Sequence, residues 1–304
     1  ADSLLVRSAD GTPRSVAAPY VYAEARGVVM NSEGAASTNA TILQQIFEEG
    51  KIALLPKGIC YYDTTLIPKN ASGIKGAGRL LTTLRYTGTG DGIRGLKTDR
   101  SSGIYRISLT GFLLLFAGSG SGHGFNFDVL RYSDMIDVEA RSFPGSGLLM
   151  DGVSANGTGC WSNRFWYSEF GQCGRHGIEV TGIDANANFF YGVHASRNAL
   201  DGVYAEKARG WHWGIQAEGN GRHAFNLRGV RQADLSPIYV EHQDPNYFSS
   251  DLKPPDVSVQ SPRYVIKLSA APDGSRCGAI VAHGAYLQGA QGDHSTVTDR
   301  IVYA

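Results

Sequence analysis

Short apolar strands, each opened by a small residue, recur along this chain at intervals of roughly one coil. They read Gly92-Ile93, Gly124-Phe125-Asn126-Phe127, Gly147-Leu148-Leu149-Met150, Gly177-Ile178-Glu179-Val180, Gly202-Val203-Tyr204-Ala205 and Ala224-Phe225-Asn226-Leu227. The first residues are 32, 23, 30, 25 and 22 positions apart. Such periods, with glycine and asparagine between short strands, predict a solenoid in which each rung buries its face against its neighbours. The fold class expected is therefore all-β, a right-handed parallel β-helix. Residues 1–304 form a single domain, with 1–50 as lead-in and cap.

Before the first rung the pattern changes period. Ile42, Leu43, Ile46 and Phe47 fall on one face of a helix over 38–49, opened by Ser37 or Thr38 and closed by Gly50. A helix here covers the open end of the coil, where strand edges are otherwise unpaired. A buried strand follows at Ile52–Leu55, and Gly76-Ala77-Gly78 reads as a turn between rungs instead of a phosphate cradle, because no βαβ unit surrounds it. From Gln243 to Pro262, four prolines exclude a regular central strand and predict a projecting loop. No second capping helix is evident near Ala304. That leaves association with another subunit, a homotrimer included, a further C-terminal part, or a loop cap.

Composition narrows the partners. Lys plus Arg and Asp plus Glu are 28 each, so no global field attracts nucleic acid or an anionic membrane. Only 18% of residues are charged and 39 are glycine, a profile of tight turns and neutral polar faces that suits sugars better than phosphates. The four cysteines are scattered without metal-ligand spacing, no Asp-rich loop suggests calcium, and neither metal nor cofactor is expected. No apolar run approaches the roughly 20 residues of a membrane-spanning helix.

The succession of the helix, "IALLPKGICYYDTTLIP" and "GIKGAGRLLTTLRY" resembles the N-terminal portion of the pectate lyase-like superfamily of right-handed β-helices, especially its bacteriophage tailspike and polysaccharide depolymerase members. The motif likeness covers about residues 24–96, and the rest follows by rung pattern. At the start of the helix the chain has Asn31 to Ser37 where that family often has an acidic, glycine-containing stretch. The resemblance implies a polysaccharide partner and an extracellular or virion-tail location.

Aligning each second strand to its anchor produces columns. Eight residues before Gly147, Gly177, Gly202 and Ala224 stand Glu139, Glu169, His194 and Gln216, and nine before stand Val138, Ser168, Val193 and Ile215. Alternation sends the second set inward and the first outward. Matching the strand Ile238–Glu241 to Trp213–Gln216 adds Glu241 to the outward stripe and Tyr239 beside Tyr167 in a second outward column. Stacked carboxylates about 4.8 Å apart cannot both ionise freely, which separates an acid from a base. Glycosidic hydrolysis needs such a pair, so Glu169 and Glu139 are the candidate acid and base, with Glu241 as alternative partner and His194 as stabiliser.

Tyr167 and Tyr239 are candidate sugar platforms, with Gln216 beside them. Arg175 and Arg222, next to His176, Asp201 and His223, form a candidate clamp for an acidic sugar. Trp166, Tyr191 and Trp213 align with Ile238 and are expected in the core, and Asn198 and Asn220 at turns in the left-handed conformation. The competing reading of every polar column is a solvated face. Two rival functions stand beside the hydrolase: a lyase using His194 or Tyr167 as base against a uronate, and a β-helix that holds glycan without cutting it.

Overall fold

The structure, a computed structural model, describes residues 3–7, 13–17, 19–95, 104–152, 159–241, 266–282, 286–288 and 301–303. It is a right-handed parallel β-helix of about six turns. One sheet has eight parallel strands, in chain order from Ile93–Gly95 to Ile301–Tyr303, and a larger sheet of fifteen strands wraps the other sides. The expected anchors stack without error: Ile93, Phe125, Leu148, Ile178, Val203 and Phe225 are successive register partners, and Ile266 and Ile301 continue the column. The loop expected over 243–262 lies outside the described residues.

Each rung contributes small and large apolar side chains to one continuous interior. Phe125, Phe127, Phe170, Phe190, Trp213 and Phe225 are fully buried, with Phe190 and Trp213 meeting edge to face at 6.4 Å. Val193 and Ile215 point inward beside His194 and Gln216 on the outer side, the register that alternation demands. The helix α1 (Ala36–Glu48) lays Leu43, Ile46 and Phe47 against the strands Ile52–Leu54 and Gly58–Tyr62. It starts two residues before the expected position, and no side chain caps its N-cap, Ala35, because a short 3-10 turn, Glu33–Ala35, leads straight into it. Ser37 instead donates to the Asp63 carboxylate.

Asparagines hold the turns, in a way the left-handed expectation missed. The left-handed residues are Arg197 and Gly219, one position earlier in each turn. Asn198 and Asn220 are wholly buried and form a ladder along the axis. Asn198 Oδ1 accepts the Cys173 N–H at 3.1 Å, Asn220 Oδ1 accepts the Asn198 N–H at 3.1 Å, and their amides donate to Phe170 and Ala195 carbonyls. Asn163 and Asn188 build a second ladder at another corner, with Asn188 Oδ1 accepting the Asn163 N–H at 3.2 Å. These side chains satisfy turn groups that the sheets cannot reach.

Replacing Asn198 by Ala strips partners from a buried N–H and a buried carbonyl at once. We expect a loss of about 1–3 kcal/mol, read as a lower urea midpoint with unchanged slope. A midpoint equal to the parent's would mean that water replaces the amide and that the ladder is dispensable.

Candidate functional site

The outward column is built by register: Glu139 opposes Glu169, Glu169 opposes His194, and His194 opposes Gln216. At the next rung the partner of Gln216 is Tyr239, and Glu241 instead opposes Glu218. The stripe therefore runs Glu139, Glu169, His194, Gln216, Tyr239, and Glu241 lies two residues along in the neighbouring column. Matching Ile238–Glu241 to Trp213–Gln216 thus runs two residues out of register, and separately the larger sheet loses a residue one rung earlier. Asp137, Tyr167 and Gly192 all take left-handed conformations and bend the larger sheet, but the next rung has no such residue, so Tyr191 pairs with Gly214 and Val193 with Ile215.

The same slip corrects the expected aromatic core. Trp213 pairs with Phe190 and is buried, whereas Trp166 and Tyr191 pair with each other on the outer face, Tyr191 being 45% exposed. Ile238 is buried in the column of Ile215, two residues from the Trp213 column to which the strand match assigns it.

Within the stripe the acids have different surroundings. Glu139 is only 3% exposed, against the expectation of an open face, and its Oε1 is in contact with Arg141 Nη2. Burial first, then repulsion from Glu169, push its carboxyl above the ordinary value despite Arg141. Glu169 stays partly open and collects donors: Ser196 Oγ donates to Oε1 at 3.2 Å and Arg79 Nη1 to Oε2 at 3.3 Å. His194 stands between two carboxylates, with Nδ1 3.7 Å from Glu169 Oε1 and Nε2 3.3 Å from Glu218 Oε2. Glu218, which the sequence offers with Glu241 only as a fallback beside the proline-rich segment, lies outside the expected stripe because it is two residues beyond Gln216 on the next rung.

Arg79 was also hidden, since it lies 90 residues before Glu169 in the chain. It sits on the turn that begins at Gly76, where Ala77 N–H donates to Thr82 Oγ1 and Gly78 takes φ 139°, a value that favours glycine. The turn projects over the next rungs, so that the Arg79 N–H donates to Asp137 Oδ2 at 3.2 Å while the guanidinium reaches Glu169.

Beside the acids, the bend of the sheet opens into a cavity of about 450 Å³ lined by Tyr167, Tyr191, Gln216, Pro237 and Tyr239 among others. Tyr167 is 58% exposed and meets Tyr191 edge to face at 5.8 Å. The structure thus brings the expected platforms Tyr167 and Tyr239 together with Gln216, at one end of the Glu169–His194–Glu218 array.

Arg175 and Arg222 belong elsewhere. They flank the eight-stranded sheet, where Arg175 Nη2 donates to Glu179 at 2.8 Å and Arg222 grips Asp201 through Nε at 3.1 Å and Nη2 at 2.6 Å. Asp201 is part of a longer column, one residue before each anchor: Asp91, His123, Ser146, His176, Asp201, His223. In this column each side chain accepts the backbone N–H of the next member. The distances are 2.8 Å from His123 to Asp91 Oδ1, 2.9 Å from Ser146 to His123 Nδ1 and 3.4 Å from His176 to Ser146 Oγ. Asp201 then donates to His176 Nδ1 at 3.3 Å, and His223 to Asp201 Oδ1 at 3.2 Å. Three of these acceptors extend past the residues that the anchors first drew attention to, and the column is a structural ladder like the asparagines.

With the geometry described, the chain can be set beside known proteins. No protein-family model matches it, and no curated protein is similar to it in sequence. Solved structures do match. The tailspike of Acinetobacter phage vb_AbaP_AS12 superposes with a TM-score of 0.62 at 12% identity, over 97% of this chain and 68% of that one. The tailspike of Acinetobacter phage vB_ApiP_P1 gives 0.52 at 15%, over 93% and 51%. An alginate lyase from Paenibacillus sp. str. FPU-7 gives 0.51 at 14%, over 85% and 96%. This chain shares the parallel β-helix fold of these proteins. It spans about half to two thirds of the length of the tailspikes it matches, and at these identities the likeness speaks for the fold.

Two pH effects follow from the buried groups. Burial pushes His223 down to about 4 and also lowers His123, so between their ordinary value near 6.5 and the folded one the unfolded chain binds more protons. Stability should therefore fall as pH drops from about 6.5 towards 4. Burial alone would raise Asp201, but the His176 contact and Arg222 outweigh it and hold the carboxyl well below its usual range, which extends the loss to lower pH. Urea midpoints measured across this range should decline less steeply in His223→Asn than in the parent; equal slopes would assign the acid sensitivity elsewhere. Glu139 has the opposite sign, since its raised value removes stability as pH rises above the ordinary carboxylate range. Glu139→Gln should melt no lower than the parent at neutral pH, and its relative advantage should shrink on acidification.

Proposed function

We propose that this protein is a polysaccharide-cleaving β-helix that hydrolyses glycosidic bonds at the Glu169–His194–Glu218 array. The observation that carries the reading is two partly open carboxylates on either side of one imidazole, next to a tyrosine-lined cavity. Contacts through the His194 ring limit the nearest Glu169 and Glu218 oxygens to about 9 Å apart or less, which is compatible with the spacing of about 6.5–9.5 Å that leaves room for a water in inverting hydrolysis. Glu169, with donors from Arg79 and Ser196, suits the carboxylate that takes a proton from that water. Glu218 protonates the leaving glycosidic oxygen as the C–O bond breaks and the water oxygen bonds to the anomeric carbon, and His194 stabilises the charge that moves between them.

Glu139, buried under Arg141, acts on this site through its charge and not by touching the sugar. Glu241 opposes Glu218 across the next rung and is its nearest substitute as acid. Tyr167, Tyr239 and Gln216 hold sugar in the cavity. The likeness to tailspikes supports an extracellular or virion-tail setting and a homotrimeric assembly on a bacterial surface glycan.

The test is digestion of a panel of bacterial capsular polysaccharides, read by chain size, by new reducing ends and by the ultraviolet absorbance of an unsaturated uronate. Hydrolysis predicts reducing ends without that absorbance. On the polysaccharide that is cut, Glu169→Gln and Glu218→Gln should each lower the rate by at least about a hundredfold with unchanged melting. Full activity in both variants would remove the acid and base roles, and absorbance from an unsaturated product would replace hydrolysis with elimination.

A further inference from the structure

We infer that the cavity beside the acid array is a subsite for a neutral sugar bearing a methyl group, a 6-deoxyhexose or an N-acetylated hexosamine, and not for a uronate. The inference rests on the reading of this face as glycan-binding, and it narrows the substrate class.

The cavity exists because of what the rungs lack. Where Asp137, Tyr167 and Gly192 fill the bend, the following rung has no equivalent residue, and the position next to the gap is Gly214. Two glycines, Gly192 and Gly214, thus stand on successive rungs between the rings of Tyr167 and Tyr239. At Gly192 a Cβ would come within 2.9 Å of the Tyr167 ring, so the ring position requires glycine there, whereas Asp137 and Tyr167 take the same left-handed bend with side chains. Gly214 is different: a Cβ would lie 3.2 Å from the Phe190 carbonyl oxygen and 3.6 Å from Pro237 Cδ, and its register partner Tyr191 faces outward. A side chain at Gly214 would grow into the hollow.

The lining is uncharged throughout. Tyrosine faces, Ile215 and Pro237 present apolar surface, while Gln216 and the tyrosine hydroxyls supply hydrogen bonds. Volumes of about 300–1,000 Å³ are those of small-ligand pockets, and about 450 Å³ accommodates a sugar ring with its substituents. A uronate would need a cation here. Arg79 is engaged with Asp137 and Glu169, and Arg141 with Glu139, so the adjoining cations already face carboxylates. Glu169 and Glu218, which flank His194 next to Gln216 in the stripe, would repel an anionic ring at that end of the cavity. Methyl groups, in contrast, gain from the tyrosine faces and from burial.

The experiment is saturation-transfer NMR on the whole protein with three probes: methyl α-L-rhamnoside, methyl N-acetylglucosaminide and methyl glucuronide. The expected result is transfer to the methyl protons of at least one neutral probe, little or none to the glucuronide, and an affinity at least about tenfold weaker in Gly214→Val. Tyr239→Ala, which removes a wall without adding bulk, should weaken the same probe, with circular dichroism confirming that both variants keep the β-helix. Transfer to the glucuronide as strong as to the neutral probes, no transfer to either neutral probe, or neutral binding unchanged in both variants would overturn the inference. The readout is binding, so neutral-sugar transfer persisting in Glu169→Gln without any cleavage in the parent would remove the hydrolase reading and leave the subsite standing.

Discussion

Everything in this molecule depends on in-register parallel stacking. A rung adds one residue to each column about 4.8 Å from the last, so whatever a position does is repeated by its neighbours above and below. Apolar columns become a core continuous from Val21 to Leu268. Polar columns face a stricter condition, since like groups at that spacing must either complement each other or be separated. The Asn198–Asn220 pair complements by being donor and acceptor at once. The column from Asp91 to His223 does so by alternating side chains that can each take the next backbone N–H.

Carboxylates have no such freedom, because an ionised carboxylate only accepts. The stripe at Glu139 and Glu169 therefore draws in cations from other parts of the chain, Arg141 from the neighbouring column and Arg79 from a turn at the N-terminal end. Where the stripe continues, histidine replaces the third acid and offers a nitrogen to each of Glu169 and Glu218. A structural ladder would be saturated from within, as Asp201 is, held by Arg222, His176, Asn226 and the His223 N–H. The Glu169 array is instead partly open and lies beside a cavity. That contrast, more than the presence of acids, distinguishes the candidate site from a structural ladder.

The fold was legible because stacking is a periodic constraint and periodicity survives in sequence. Six anchors placed the eight-stranded sheet, and alternation placed Val193 and Ile215 inside. The site was legible only as far as one register held. It failed past Gln216, where no anchor fixed the next rung and the strand match ran two residues out, so that Tyr239 stands in the column of Gln216 and Glu241 in that of Glu218. It also failed for contacts that periodicity does not encode: Arg79 meets Glu169 through a turn that leaves the coil, and Arg141 covers Glu139 from the next column. Ladder roles were half visible, since asparagine at a turn suggested backbone conformation when the side chain's two-sided hydrogen bonding was the reason for it.

The residue lost from the larger sheet explains why the cavity lies where it does. In a uniform coil every rung fills the bend alike, and the outer face is a ridge without recesses. Dropping one residue from one rung keeps the inward columns in step, because Val193 still meets Ile215, but removes the bend on the outer side only. The core is preserved while the surface gains a hollow, bounded by Tyr167 on the complete side and Tyr239 on the rung beyond. A solenoid whose stability is a sum of neighbour contacts tolerates such a local omission as long as the interior register survives. Irregularity in the repeat thus gives a periodic fold a discrete recess, and it places that recess next to a polar column whose charges are only partly closed off from within.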